Sequence, residues 1–249
     1  MSQLLFLAGL GRSGTTALTE LFDAHPRVAV GMERYKHVLY EPEGPGLTSE
    51  HFTRERFFDF SDGLTNIRPD VHQRWRDFYS GLEEKWDTAA YVGDKITHLR
   101  LPRLWDCLPD ARFVCIIRDV RSVAASWEAR ATNPADTAWS PTRGAQAAVP
   151  AWNRSLRQLA RATRLSGDQV VLVEYERFFG DAEATSARRV LEWLDVEWDP
   201  TFDSAFANAH ERYVGSVALK PRTLSDEDEA YVAEHASEQL WQRMSKRSL

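Results

Sequence analysis

The stretch that most limits what this chain can become is its beginning, where the apolar run Leu4 to Ala8 meets the segment Gly9-Leu-Gly-Arg-Ser-Gly-Thr-Thr16. A short continuous apolar run ending in glycines reads as a strand buried on both faces. Behind the turn, Ala17, Leu18, Leu21 and Phe22 share one face at helical spacing until Pro26 stops the pattern. Glycines let the backbone bend sharply and approach an anion, and a helix N-terminus offers unpaired N–H groups and positive potential. Arg12 adds a forked cation, and Ser13, Thr15 and Thr16 add hydroxyls, groups that a purely structural turn has no use for. The segment therefore reads as a phosphate-binding loop, with Gly11, Arg12, Ser13, Gly14, Thr15 and Thr16 as its candidate ligands.

Further strands are expected at Val28 to Val30, Tyr91 to Asp94, Phe113 to Ile117 and Val170 to Val173. Helices are expected near 101–107, 120–130 and 182–194, from Trp152 to Leu165, and from about Ser225 to Met244. Residues 34–90 are rich in aromatics and charge, with helical stretches near 50–60 and 70–86, whereas Asn133 to Pro150 lacks periodicity and reads as a loop or lid. Strand–helix alternation implies an α/β fold with a central parallel sheet flanked by helices. The expectation is a single domain over residues 1–249, with 34–90 and 131–150 as acceptor-site or lid insertions.

The formal charge of −6 argues against a nucleic-acid binder but leaves room for a local basic pocket. Cys107 and Cys115 suggest buried thiols in a reducing compartment. No cluster of residues has the spacing of a metal site. The N-terminus has no basic leader and its apolar run is too short to span a membrane, so a cytoplasmic protein is expected.

Two familiar loops compete for the first segment. A Walker A loop needs a lysine where Thr15 stands, which disfavours a kinase or ATPase. The dinucleotide fingerprint GxGxxG is matched by Gly9, Gly11 and Gly14, and Glu33 follows a short strand where a ribose-binding acid belongs. That keeps an NAD(P)-dependent oxidoreductase of Rossmann type as the alternative. The segment from Phe113 to Ser126 tips the balance. Its strand runs into Arg118, and the helix after it carries Ser122 and Ser126 on one face, a second candidate phosphate site for which a dinucleotide offers no task. A nucleotide with phosphate groups at both its 5′ and 3′ positions accounts for both segments.

The loop Gly11-Arg-Ser-Gly-Thr-Thr16, the segment Ile116-Ile-Arg-Asp-Val-Arg-Ser-Val-Ala-Ala-Ser126 and the strand ending Val173-Glu-Tyr-Glu176 resemble the signature segments of sulfotransferases that use 3′-phosphoadenosine-5′-phosphosulfate (PAPS). The run from Arg12 through Asp23-Ala-His-Pro26 to Glu33, and Trp152-Asn-Arg154 later, are most similar to the tyrosylprotein branch. The resemblance implies a P-loop-like nucleotide-binding fold and transfer of a sulfuryl group from PAPS to a hydroxyl-bearing acceptor, releasing adenosine 3′,5′-bisphosphate without a metal. It implies that Gly11 to Thr16 hold the 5′-phosphosulfate end, that Arg118 and Ser126 hold the 3′-phosphate, and that Tyr175 lines the nucleotide pocket. Lys220, or Arg222, would close the 3′ side. Glu33 stands where that branch has its catalytic glutamate, and His98 resembles the histidine base of cytosolic members, one residue out of register with Lys95. Lys95 and Arg12 would steady the transferring group. For the acceptor, Trp75, Phe78, Tyr79, Trp86, Trp127 and Trp139 offer an aromatic wall, and Arg34, Lys36, Arg54 and Arg56 a surface for an acidic peptide or sugar.

Overall fold

A computed structural model of the chain describes residues 2–40, 46–97, 104, 106–219 and 223–249. Five strands, β1 (Gln3–Gly9), β2 (Val28–Met32), β3 (Tyr91–Ile96), β4 (Arg112–Ile117) and β5 (Val170–Glu174), form one sheet in the order β2-β3-β1-β4-β5. Every pairing is parallel. Successive side chains on a strand point to opposite faces, so each central strand feeds two cores. Phe6, Phe113 and Cys115 face one, where Phe6 and Phe113 stack at 5.3 Å. Leu5, Leu7, Val114 and Ile116 face the other. Burial on both faces is why these strands read as unbroken apolar runs.

Eleven further segments are α-helical among the described residues: α1 (Thr15–Asp23), α2 (Lys36–Tyr40), α3 (Arg54–Phe58), α4 (Gln73–Lys85), α5 (Val120–Ala131), α6 (Ala145–Leu165), α7 (Tyr175–Gly180), α8 (Thr185–Leu194), α9 (Pro200–Leu219), α10 (Asp226–His235) and α11 (Glu238–Arg247). Helices α4, α5 and α6 cover the Phe6 face; α1, α8 and α9 cover the other. After β1 the chain crosses to β2 at one edge and returns through β3, then passes β1 again to reach β4 and β5. The direction of winding thus reverses around the carboxyl end of β1, the position at which open α/β sheets bind ligands.

Several expectations are corrected. The segment 133–150 is irregular only to Gly144, because α6 begins at Ala145 and carries Pro150 inside it. Ala145, Ala148 and Val149 are buried in the core, and that packing outweighs the proline that made the stretch look like a loop. The last expected helix is two, broken at Ala236 and Ser237. Helix α9 had no counterpart in the sequence reading, although Pro200 at its first turn and buried Phe202, Phe206 and Ala209 at helical spacing carry the signal. Cys115 is buried as expected; Cys107 is exposed. The helix expected near 101–107 falls largely outside the described residues.

Candidate active site

The turn from β1 into α1 is held in an uncommon shape. Arg12 has φ 78° and Gly14 has φ 96°, the left-handed region that favours glycine. A Cβ on Gly14 would overlap the Tyr175 ring, whereas one on Gly11 would meet nothing within 4 Å. Two side chains tie down the turn's carbonyls: Trp127 Nε1 donates to Gly11 O at 3.0 Å and Arg118 Nη1 to Arg12 O at 3.2 Å. The first turn of α1, with Thr15 and Thr16, opens onto a cleft of about 580 Å³ together with Gly11 and Arg12.

The second segment lies directly beside the first. Asp119 caps α5 by accepting from the amides of Arg121 and Ser122, and α5 brings Ser126 to Arg12, whose Nε donates to Ser126 Oγ at 3.0 Å. Arg118 lies 4.1 Å over the Tyr175 ring, and its carbonyl accepts from Trp152 Nε1 at 2.8 Å. Its Nε is 3.4 Å from Glu176 Oε1, but neither Arg118 Nε nor either Glu176 oxygen makes a hydrogen bond among the described residues, although all three are buried. Burial pushes the Glu176 carboxyl up, against the pull of Arg118. Arg118 Nε therefore faces the Glu176 carboxylate as a buried ion pair without a formed hydrogen bond, while Nη1 reaches the turn. Arg12 and Arg118 thus belong to one continuous surface.

Across the cleft stands Glu33, itself at φ 54° just after β2. Lys95, at the carboxyl end of β3, donates to Glu33 Oε1 at 2.7 Å, and Lys36 Nζ lies 3.5 Å from Oε2. Burial pushes the Glu33 pKa up, but Lys95 and then Lys36 outweigh it and hold the carboxyl below its ordinary value. Behind them the fully buried Asp94 accepts at Oδ1 from the amides of Arg34 and Lys95, both at 3.0 Å, and at Oδ2 from Tyr35 at 3.1 Å. It thereby fastens the turn that presents Glu33. Sequence reading passed over Asp94, whose only signal was an acid inside a buried strand.

The rest of the cleft is lined by Ile67, Asn66, Trp75 and Trp139 with the cations Lys36, Arg74, Arg130 and Arg143. Arg143 packs 4.2 Å over Trp139 and 4.6 Å over Trp127, and Arg130 is paired with Asp136. Among the described lining residues Glu33 is the one acid, facing six cations. Of the sequence candidates for an acceptor surface, Trp75, Trp139 and Lys36 line the cleft. Tyr79, Trp86 and Trp127 are buried in the core. Arg34 is fully buried, bound to Asp62 and to the carbonyls of Phe57 and Asp59, so it braces the loop and meets no acceptor. Arg54 and Arg56 are paired with Asp87 and Asp62. Asn66, Ile67, Arg74, Arg130 and Arg143 escaped the sequence reading because they come from segments without a motif. His98, Lys220 and Arg222 lie outside the described residues. Among the described residues no group of three or more metal-binding side chains gathers, and no helix is long and apolar enough to cross a membrane.

The dinucleotide alternative fails on strand order. A Rossmann sheet sets β2 beside β1, so that its acid reaches a ribose bound over the first turn. Here β3 intervenes and Glu33 is engaged by two lysines.

Residues 5–200 match the model of the sulfotransferase family. A Caenorhabditis briggsae protein assigned to the protein-tyrosine sulfotransferases is 25% identical over 225 residues, spanning 90% of this chain and 75% of that protein. The chain spans only 38–54% of the length of three further protein-tyrosine sulfotransferases that it resembles. The sulfotransferase domain of the Synechococcus PCC 7002 olefin synthase superimposes with a TM-score of 0.54 at 14% identity, covering 94% of this chain and 95% of that one. A mouse sulfotransferase crystallised with PAP does so with a TM-score of 0.50 at 12% identity, over 98% and 81%. At such identities these two show the shared fold.

Proposed function

The chain belongs to the sulfotransferase family, and on that premise we propose that it transfers the sulfuryl group of PAPS to a hydroxyl of an anionic acceptor, a peptide tyrosine flanked by acidic residues. The observation that carries this reading is the meeting, at one cleft, of a helix N-terminus, Arg12, and the Lys95–Glu33 pair. PAPS, as donor substrate, supplies the activated sulfuryl group. The residues available to hold its nucleotide are Gly11 to Thr16, Arg118, Ser126 and Tyr175, which form one connected surface. The neighbour crystallised with PAP supports a bisphosphate of this kind.

In this reading Glu33 takes the acceptor's proton. Its low pKa keeps it ionised and ready to accept, although it weakens it as a base. Lys95, 5% exposed, places a desolvated ammonium beside Glu33, where it offsets negative charge developing on a leaving oxygen. Arg12 adds a second cation on the loop side. Arg74 and Arg130 are paired with Glu20 and Asp136, but cations still exceed the single lining acid, and with the two tryptophans they fit an aromatic hydroxyl set among carboxylates, as do the relatives that act on protein tyrosine.

Three measurements test the proposal. Calorimetry should show binding of adenosine 3′,5′-bisphosphate and none of NAD; the reverse would sink it. Glu33→Gln should lower kcat by roughly 10²–10⁴-fold with bisphosphate affinity little changed. Full turnover by that variant, with loss in His98→Ala, would move the base to His98. Labelled donor offered with tyrosine peptides should mark those with flanking Asp or Glu over those with flanking Lys; equal labelling would leave the acceptor assignment wrong.

A further inference from the structure

Helices α6 and α11 run side by side, joined at one end by Trp152 against Trp241 at 5.6 Å and by Asn153, which accepts from the amide of Ser237 just before α11 and donates to the His235 carbonyl at the end of α10. Beyond that junction they leave a groove of about 740 Å³. Arg157, Arg161 and Arg164 edge it from α6; Arg243, Lys246 and Arg247 edge it from α11. All six are exposed, and among the described residues none of them forms an ion pair and no acid lines the groove. Its floor is apolar, made by Ala160, Leu240 and the buried Met244. None of these residues borders the active cleft.

In a chain of net charge −6 such a cluster does not follow from composition. Arg54, Arg68, Arg74 and Arg121 are each neutralised by an acid, and other exposed arginines without an ion pair among the described residues, such as Arg27, Arg76 and Arg212, are spread over the surface; here six cations border one groove. Arg164, Lys246 and Arg247 have a local reason to be where they are, since cations in the last turn of a helix oppose its dipole. Arg157, Arg161 and Arg243 lie outside the last turns and have no such reason. Arg157 and Arg161 are four apart, as are Arg243 and Arg247, and like charges at that spacing destabilise a helix.

We propose that this groove docks a short acidic amphipathic helix from a partner protein. Carboxylates along both edges would relieve the repulsion between the arginines, and the partner's apolar side chains would cover the floor in the helix-in-groove manner. The concave floor favours a single segment over a flat bilayer, and an oligonucleotide brings phosphates but no apolar side chains to meet Leu240 and Met244.

The test is fluorescence anisotropy with a labelled synthetic helix bearing glutamates on both flanks and leucines between them. A scrambled peptide of the same composition, phosphatidylserine vesicles and a single-stranded oligonucleotide serve as comparisons. Saturable, salt-weakened binding of the patterned helix is expected, at least about tenfold weaker for the scrambled peptide and for R157E/R161E/R243E. Bisphosphate binding should be the same in that variant and the parent, which also reports that it is folded; R157Q/R161Q/R243Q replaces it if it is not. Absence of binding by the patterned helix, equal binding by the triple variant, or tighter binding to vesicles or oligonucleotide would overturn the proposal.

Discussion

Glu33 and Asp94 are neighbouring carboxyls pushed in opposite directions. Lys95 and Lys36 hold Glu33 below 4.5 in spite of its burial, so the pair's contribution to stability is complete above that pH and fades as pH falls through the lowered value. Burial raises Asp94 from 3.8 to about 7. The folded chain therefore holds that proton more tightly than the unfolded one, and the stability this brings is complete below 3.8 and fades as pH rises through about 7. Three amides point at Asp94, and an ionised carboxylate serves them better than a protonated one, which must turn one site into a donor. We expect kcat to fall as pH drops through about 7 because the turn carrying Glu33 loosens, with no such limb from Glu33 itself. Asp94→Asn should flatten that limb and lower kcat on the order of 10²-fold while leaving bisphosphate affinity intact. A profile unchanged by the substitution would assign the limb elsewhere.

Among the elements, the strand–turn–helix at the N-terminus is where sequence and structure agree most closely. Its glycines, hydroxyls and apolar face each act locally, so β1, the turn and α1 were readable from neighbouring residues alone. The same holds for β4 running into Arg118. The cleft's far wall was not readable, because Asn66, Arg74 and Arg143 reach it from elements that only tertiary packing brings together. Arg34 shows the converse: a cation taken for surface is a buried brace whose carbonyl partners no pattern announces. The turn also supports an element-scale prediction. Gly14→Ala meets both a left-handed backbone, costing about 1–2 kcal/mol, and the Tyr175 ring. It should lower the melting temperature and weaken bisphosphate binding. Adding Tyr175→Ala removes the overlap but not the backbone cost, so it should recover stability only in part; complete recovery would mean the backbone cost is absent.

For the whole molecule, a ligand that binds only the folded state stabilises it by mass action. Adenosine 3′,5′-bisphosphate at one hundred times its Kd should add about 2.7 kcal/mol to unfolding, seen as a raised melting temperature, and NAD should add nothing. The proposed donor surface draws on β1, α1, β4, α5 and α7, and the proposed catalytic pair, Glu33 and Lys95, on the ends of β2 and β3. All the strand pairings are parallel, so each must bridge a crossover before it forms. Such long-range contacts are slow to assemble, and none can be made by a hairpin folding alone. A partly folded chain would therefore hold only fragments of the proposed machinery, and nucleotide uptake during refolding should report when β1, β4, α5 and α7 have come together.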